Sequence, residues 1–235
     1  MMVMVQKAGC GALLSMFVLG HALAVPAADA QQDWAKLAAY RSANAQLAQA
    51  PLDAGRIVFM GDSITEFWTP SFWSKSALNR GISGQTTPQM LLRFRADVIE
   101  LQPASVVILA GTNDVAGNTG PATEDTIAGN IASMVELAQV HGIKVVLCAV
   151  LPANRFYWNP QIQPADTIVA LNERLKDYAQ RQRLVYVDYY TPMVDEEKGL
   201  KRAYSEDGVH PNEAGYKLMT NLVTKGIADA VAGKP

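Results

Sequence analysis

The sequence predicts one α/β domain with three layers (α/β/α) built around a five-stranded parallel sheet. Short, continuous apolar runs recur along the chain, and such runs are typical of parallel strands that helices cover on both faces. Longer segments with apolar residues at helical spacing separate these runs, and the alternation predicts an open parallel sheet. The composition agrees, because 49% hydrophobic and 18% charged residues among 235 suit one well-buried core better than two domains.

Five apolar runs predict the strands in chain order. The first, Arg56–Met60, ends abruptly at Gly61-Asp62-Ser63, whereas the second, Ala77–Arg80, has the weakest apolar pattern. The other three predicted strands are Ser105–Ala110, Lys144–Val150 and Leu184–Asp188. Ligands of such sheets bind at the carboxyl ends of the strands, so the residues that follow each strand are the first candidates for a site.

Helical segments connect the predicted strands. Thr87–Leu101 carries an apolar stripe on one side, and Pro88 suits its first turn. Residues 31–54 predict an amphipathic N-terminal helix that packs outside the sheet. The remaining predicted helices are Thr123–Val140, Pro164–Arg181 and Asn212–Val231.

Residues 1–30 predict a signal peptide. The apolar run Ala8–Val25 follows a single basic residue, Lys7, and Ala28-x-Ala30 fits a signal-peptidase site. The alternative is a membrane anchor, but glycine and histidine interrupt the run, which is at the short end for crossing a bilayer. We therefore expect a mature domain at residues 31–235, exported to the periplasm or secreted, without a stable membrane anchor.

Several partners and cofactors are not expected. The net charge of −2 does not indicate the excess of basic residues that is typical of nucleic-acid-binding proteins. Cleavage would leave Cys148 as the only cysteine, inside an apolar run, which predicts a buried inert thiol and no intramolecular disulfide. The few histidines and cysteines form no convincing metal-ligand set, and no phosphate loop or dinucleotide fingerprint occurs, so we expect neither a metal nor another cofactor.

Two histidines follow the predicted cleavage site, and a site that uses histidine as a base must use one of them. His141 lies between a helix and the fourth strand, at the opposite edge of the sheet from the candidate loops, where a histidine is ordinarily structural. His210 lies in a loop before the last helix, so elimination favours His210. Asp207, three residues earlier, is the expected orienting carboxylate, with Glu206 as its competitor.

Ser63 is the candidate nucleophile, because it follows a strong buried strand and a glycine directly. Its backbone N–H would also point toward the strand ends, as an oxyanion site requires. The alternative is a helix cap, the more common role of a serine at a helix start. Ser83 and Ser205 are the rival serines, but neither follows a strong strand as directly.

Four short blocks in order resemble those of SGNH/GDSL hydrolases. They are Gly61-Asp62-Ser63-Ile64, Asn79-Arg-Gly-Ile-Ser-Gly84, Gly111-Thr-Asn-Asp114 and Asp207-Gly-Val-His210. The resemblance implies a flavodoxin-like topology and a triad of Ser63, His210 and Asp207. It also implies an oxyanion hole formed by the backbone N–H groups of Ser63 and Gly84 and the side chain of Asn113. Asp62 and Asp114 are expected to brace their loops, since short acidic side chains commonly accept from nearby backbone N–H groups.

Aromatic residues flank the expected site in two groups. Tyr157 and Trp158 are the candidates for substrate contact, because they lie in a loop after the fourth strand. The other group is Phe67-Trp68 with Phe72-Trp73, for which core packing is the alternative. The stretch from Asn79 to Gly120 resembles platelet-activating-factor acetylhydrolases and bacterial carbohydrate acetylesterases, which implies a short O-acyl ester, acetyl above all, on a carbohydrate or another small molecule. The alternatives are a lipase or lysophospholipase for longer acyl chains, and a non-catalytic secreted binding protein on the same scaffold.

Overall fold

The structure, a computed structural model, describes residues 33–68 and 75–234. The signal peptide predicted at residues 1–30 and the pair Phe72-Trp73 lie outside the described residues. The predicted mature domain of residues 31–235 therefore stays a prediction.

Five parallel strands form one sheet in the order β2-β1-β3-β4-β5, which confirms the predicted fold class. The strands are β1 (Ile57–Gly61), β2 (Ala77–Gly81), β3 (Ser105–Leu109), β4 (Lys144–Cys148) and β5 (Val185–Val187). The chain runs outward from β1 to the β2 edge, then crosses back to β3 on the other side. The crevice at the carboxyl ends of β1 and β3 is the point where the strand order reverses, the usual ligand-binding position of such sheets.

Helices cover both faces of the sheet. They are α1 (Arg41–Gln49), α2 (Ser63–Glu66), α3 (Thr87–Asp97), α4 (Thr112–Val115), α5 (Glu124–Val140), α6 (Ala165–Gln182), α7 (Tyr190–Met193) and α8 (Glu213–Val231), with a 3₁₀ turn at Ile99–Leu101. Among the residues that the structure describes, none of these helices has the length and apolarity that crossing a membrane requires.

The core consists of two apolar clusters, one on each face of the sheet. Val58 and Met60 of β1 pack with α3, α5 and α6, whereas Phe59 between them packs with α8. This alternation follows from the pleat, which sends successive side chains to opposite faces. The free thiol of Cys148 lies in the α8 cluster, and burial raises its pKa to about 12, as expected for an inert core cysteine.

Two strands and two helices differ most from their predicted bounds. The helix predicted at Thr87–Leu101 ends at Asp97, and the 3₁₀ turn Ile99–Leu101 follows it. β4 stops at Cys148 because the backbone at Val150 turns to the side chain of Asn172, which both accepts from its N–H and donates to its carbonyl at 2.8 Å. The N-terminal helix is shorter than predicted. Within the described residues 33–54 the helix is Arg41–Gln49, and Ala50, which precedes a proline, is extended. β5 likewise covers only three of its five predicted residues.

Glycines at the ends of β1 and β2 allow the short helix α2 to pack directly on the sheet. A Cβ atom on Gly61 would lie 2.1 Å from Thr65 Oγ1, and one on Gly81 would lie 2.2 Å from the Glu66 backbone nitrogen. Neither position can hold a larger residue without displacing α2. The two glycines therefore place the first turn of α2, with Ser63, over the crevice.

Candidate active site

Four loops at the carboxyl end of the sheet bring the candidate residues together. Ser63 begins α2 after β1, Gly84 follows β2, and Asn113 lies in α4 after β3. Asp207 and His210 come from the loop between α7 and α8. All five therefore meet at the crevice between β1 and β3, although they come from separate parts of the chain.

Ser63 Oγ lies 2.9 Å from Nε2 of His210. The cap of α2 is Asp62, whose Oδ1 accepts from the backbone N–H of Ile64 at 2.9 Å, so Ser63 is not the capping residue. The hydroxyl of Ser63 is thus free to contact the imidazole. A serine hydroxyl within hydrogen-bond reach of a histidine is the geometry of an activated nucleophile.

The two rival serines, Ser83 and Ser205, form hydrogen bonds with neighbouring loop and helix residues rather than with a histidine. Ser83 donates its hydroxyl and its backbone N–H to Glu66 Oε2, the backbone contact being 2.6 Å long. Ser205 Oγ lies 3.2 Å from Asp207 Oδ1 and accepts from the backbone N–H of Gly208 at 2.9 Å. Ser205 therefore braces Asp207, and Ser83 is tied to Glu66 at the end of α2.

Asp207, rather than Glu206, is the carboxylate in contact with His210. Its Oδ2 lies 2.7 Å from Nδ1 of the ring, and its Oδ1 accepts from the backbone N–H groups of Val209 and His210, both at 2.8 Å. Partial burial raises the pKa of Asp207, but the hydrogen bonds from the His210 ring and these N–H groups outweigh burial and hold its pKa below the ordinary value. An ionised carboxylate at Nδ1 keeps the proton on that nitrogen, which leaves Nε2 as the acceptor that faces Ser63.

His141 lies where the sequence places it, at the carboxyl end of α5 and away from the crevice. Its Nδ1 is 2.8 Å from the carbonyl oxygen of Leu137, one turn earlier in the same helix. A hydrogen bond from a histidine side chain to a carbonyl in the last turn of its own helix is a structural role.

Gly84 and Asn113 lie beside Ser63 at the floor of a cleft of about 270 Å³. Gly84 adopts a left-handed backbone with φ of +78°, which favours glycine. Asn113 is buried, and its Nδ2 donates to Asp62 Oδ2 at 3.2 Å and to the carbonyl oxygen of Gln85 at 3.1 Å. Asn113 and Ser63 both line the cleft, where a developing oxyanion would compete with Asp62 and Gln85 for the Asn113 N–H groups.

Two buried carboxyl groups lie beneath the site and are protonated more readily than usual. Burial raises the pKa of Asp62 to about 7, although the hydrogen bond from the Ile64 N–H opposes this shift. Burial also raises the pKa of Asp114 to about 6, against hydrogen bonds from the hydroxyl and backbone N–H of Thr87. Asp62 is thus partly protonated near neutral pH, which limits the negative charge next to the Asn113 amide.

Aromatic side chains form the walls of the cleft. Tyr157 and Trp158 line one side, and they contact each other edge to face at 4.8 Å between ring centroids. Phe67 also lines the cleft, half exposed, with its ring centroid 5.6 Å from that of His210. Trp68, by contrast, is buried against Phe59 and Tyr216, so core packing holds for this member of the pair.

Two residues of the site were missed from the sequence. Asn118, five residues after Asn113, also lines the cleft and contacts both Asn113 and Trp158. A polar residue between two glycines, in a loop that follows a recognised block, was the available signal. The second is Arg93, a buried cation whose Nη2 donates to the carbonyl oxygens of Gly61 and Arg80 at 3.1 and 2.7 Å and so ties the ends of β1 and β2 together. Its position in the middle of a predicted helix gave no signal.

Within the described ranges, no group of three or more histidine, cysteine, aspartate or glutamate side chains has the arrangement to hold a metal ion. The chemistry available to the residues in the cleft is that of a serine, a histidine and neutral N–H donors.

The fold and the site together define the class of the protein as an esterase-type hydrolase of the SGNH kind. The chain belongs to the GDSL-like Lipase/Acylhydrolase family, whose family model matches residues 59–218 and thus includes all four sequence blocks. This match confirms the resemblance of the four blocks to those of SGNH/GDSL hydrolases.

Solved and curated proteins agree with this assignment. A GDSL-like lipase from Bacteroides thetaiotaomicron superposes with a TM-score of 0.80 and 50% identity, covering 83% of this chain and 98% of that one. Esterase TesA from Pseudomonas aeruginosa is 32% identical over 147 residues, 62% of this chain and 66% of its own length. Platelet-activating factor acetylhydrolase IB subunit alpha2 from Homo sapiens is 30% identical over 105 residues, 41% of this chain and 44% of its own length. The chain thus spans less than two thirds of the length of these curated relatives.

Proposed function

We propose that the chain is a serine esterase that removes short acyl groups, acetyl above all, from the hydroxyl groups of a carbohydrate. The observation that carries this proposal is the unbroken line of contacts from Ser63 Oγ to His210 Nε2 and from His210 Nδ1 to Asp207, at 2.9 and 2.7 Å. A non-catalytic binding protein on the same scaffold would not require these serine–histidine–aspartate contacts. The binding-protein alternative is therefore the weaker one.

In the first half of the reaction, Ser63 Oγ attacks the ester carbonyl carbon while His210 Nε2 takes the hydroxyl proton. The imidazolium that forms is stabilised by the carboxylate of Asp207. The carbonyl oxygen gains negative charge and accepts from the backbone N–H groups of Ser63 and Gly84 and from Asn113 Nδ2. His210 then returns the proton to the alcohol oxygen as the carbon–oxygen bond breaks, and the acyl group stays on Ser63.

In the second half, water takes the place of the departed alcohol. His210 removes a proton from the water as it attacks the acyl carbon, and the same N–H donors stabilise the second oxyanion. Collapse of this intermediate returns the proton to Ser63 Oγ and releases the carboxylic acid. The residues at the crevice supply every proton transfer, so no metal or cofactor enters the proposal.

The size and lining of the cleft favour a substrate with a small acyl group and an alcohol part that carries a ring. Its volume of about 270 Å³ is at the low end for ligand pockets, which favours acetyl over long acyl chains. The exposed rings of Phe67 and Tyr157 and the partly exposed ring of Trp158 give the rim flat apolar faces, on which a sugar ring can stack. The second candidate is a lipase for longer acyl esters, which the 50% identity to a protein described as a GDSL-like lipase favours.

Hydrolysis of two chromogenic esters by the purified protein tests the proposal. We expect turnover of p-nitrophenyl acetate that Ser63→Ala abolishes and that falls steeply for p-nitrophenyl octanoate. Ser133→Ala is the matched control, because the hydroxyl of this serine donates to the Gly129 carbonyl on α5 and Ser133 is not among the residues that line the cleft. Equal or faster hydrolysis of octanoate would support the lipase, and activity that survives Ser63→Ala would overturn the assignment of the nucleophile.

Two further measurements address the carbohydrate and the location. Acetate release from an acetylated oligosaccharide, with a kcat/KM above that for p-nitrophenyl acetate, is expected if the alcohol part stacks on the cleft rim. We also propose that the protein is exported, on the basis of the signal-peptide pattern at residues 1–30. Cell fractionation and N-terminal sequencing should then find a protein outside the cytoplasm that begins at Gln31. A cytoplasmic protein with an intact N-terminus would contradict export.

A further inference from the structure

The side chain of Asn118 lies between the expected oxyanion site and the aromatic wall of the cleft. Its Nδ2 donates to Asn113 Oδ1 at 2.9 Å and to the carbonyl oxygen of Gly84 at 3.2 Å. Its Oδ1 accepts from the indole nitrogen of Trp158 at 3.1 Å. One side chain thus contacts both proposed oxyanion donors outside α2 and one of the rings proposed to hold the substrate.

The donor and acceptor character of each partner fixes the orientation of the Asn118 and Asn113 amide groups. An indole N–H can only donate, so the Asn118 atom that faces Trp158 has to be the oxygen. The Asn118 nitrogen then faces Asn113, which must turn its own oxygen toward Asn118. As a result the Asn113 nitrogen points the other way, toward Asp62 Oδ2 and the Gln85 carbonyl oxygen, with which the proposed oxyanion competes for its N–H groups. A reversed Asn113 amide would present a carbonyl oxygen to the developing negative charge and would lose its stabilising effect.

We propose that Asn118 is a positioning residue that couples the Trp158 side chain to the orientation of the Asn113 amide. This inference rests on the proposed esterase function, in which Asn113 is an oxyanion donor. Asn118 touches no reacting atom in that mechanism and acts through Asn113. Contact of a substrate ring with Trp158 therefore changes the rate of the chemical step (kcat) as well as substrate binding (KM).

Substitution of Asn118 by aspartate tests the link with little change of shape. A carboxylate has no N–H, so its oxygens would face Asn113 Oδ1 and the Gly84 carbonyl. We expect kcat for p-nitrophenyl acetate to fall by about 10²-fold, approaching the loss of one oxyanion donor, with a smaller change in KM. Asn159→Asp is the matched control. Asn159 Nδ2 donates at 2.9 Å to the carbonyl oxygen of Ala116, which lies in the same loop as Asn118, and Asn159 has no contact with Asn113. Its kcat should stay close to wild type.

A double-mutant cycle separates positioning from a general structural effect. If Asn118 acts through Asn113, Asn118→Asp should cost little additional kcat in an Asn113→Ala background, because the group that it positions is already absent. Losses that multiply in full would overturn the proposal. Trp158→Phe, which keeps a ring and removes only the indole N–H, should lower kcat in the same direction by a smaller factor, and a pure KM effect would count against the link.

A measurement independent of turnover keeps this inference separate from the proposed function. The side-chain amide signals of Asn113 in a ¹H–¹⁵N spectrum can be assigned by their loss in Asn113→Ala. We expect these signals to shift in Trp158→Phe and in Asn118→Asp and to stay unchanged in Asn159→Asp, whether or not the protein hydrolyses a given ester. Unshifted Asn113 signals in Trp158→Phe would refute the coupling, whereas a wild-type protein without esterase activity would refute only the proposed function.

Discussion

Asp207 holds His210 at two points, since one carboxylate oxygen contacts the ring nitrogen Nδ1 at 2.7 Å and the other accepts from the backbone N–H of the same residue at 2.8 Å. The three-residue spacing allows this closed arrangement within a single loop. The carboxylate thus fixes the position of the residue and the direction of its ring together. The hydroxyl of Ser205 donates to Oδ1 of the same carboxylate at 3.2 Å and so helps to hold it in place.

Asp207→Asn should reduce kcat by about 10³–10⁴-fold while the fold persists. The amide oxygen can still accept from the backbone N–H groups of Val209 and His210, so the loop should keep its shape. The amide nitrogen would instead donate toward Nδ1 and favour the tautomer with a proton on Nε2, which cannot accept from Ser63. Steady-state kinetics with p-nitrophenyl acetate and a thermal melt measure the two effects.

The control for this variant is Asp188→Asn, whose carboxylate also accepts from a backbone N–H in a loop, that of Thr191 at 2.9 Å, without any contact with His210. Its kcat should match wild type. A kcat of Asp207→Asn within tenfold of wild type would exclude Asp207 as the orienting residue.

Asn113→Ala should lower kcat by about 10²–10³-fold, the usual loss for one oxyanion donor. The substitution also frees Asp62 Oδ2 and the Gln85 carbonyl, which can take up a water molecule in the space that the amide leaves. We therefore expect a folded protein with a largely unchanged KM. Asn130→Ala is a suitable control, because Asn130 bonds Thr87 Oγ1 at 3.0 Å outside the cleft. Near-wild-type turnover in Asn113→Ala would remove Asn113 from the site.

Phe67→Ala should raise KM for aryl esters by about fivefold, the effect of losing part of an apolar contact that is only half buried. The effect on kcat should be smaller, because the ring touches His210 at its side and does not bond it. Leu92→Ala removes a similarly exposed apolar side chain from α3, outside the cleft, and should change neither constant. Equal KM values for Phe67→Ala and wild type would place the ring outside the binding surface.

The sequence predicts most of the sheet well because β1, β3, β4 and β5 follow largely continuous apolar runs, which are typical of a parallel sheet covered on both faces. β2, which contains Asn79 and Arg80, has only a weak pattern. The sequence predicts the strand ends less well, since Val150 is as apolar as the strand before it and leaves the ladder only because the side chain of Asn172 offers both a donor and an acceptor. That interaction joins residues 22 positions apart and has no local pattern.

The candidate site was predictable to the extent that its residues follow strands or lie close together in sequence. Asp207 and His210 share one turn, and Ser63 follows β1 directly. The contacts of Asn118 with Gly84 and Trp158 join residues 34 and 40 positions away, and they depend on how separate loops meet above the sheet. Arg93 is similar, because its role follows from burial under two strand ends and not from its neighbours in sequence.

Asp114 should give the protein a stability that falls as the pH rises. Its pKa is raised by burial from 3.8 to about 6 in the folded protein, so between these values the folded state binds more protons than the unfolded state. The free energy of unfolding therefore loses on the order of 2 kcal/mol from this group as the pH rises from about 4 to about 6. Asp114→Asn has no such titration; the Asp114 charge also helps to raise the pKa of Asp62, so the comparison includes this smaller coupling between the two carboxyl groups. Urea unfolding at several pH values should show wild type losing stability relative to the variant across this range, and a constant or opposite difference would contradict the prediction.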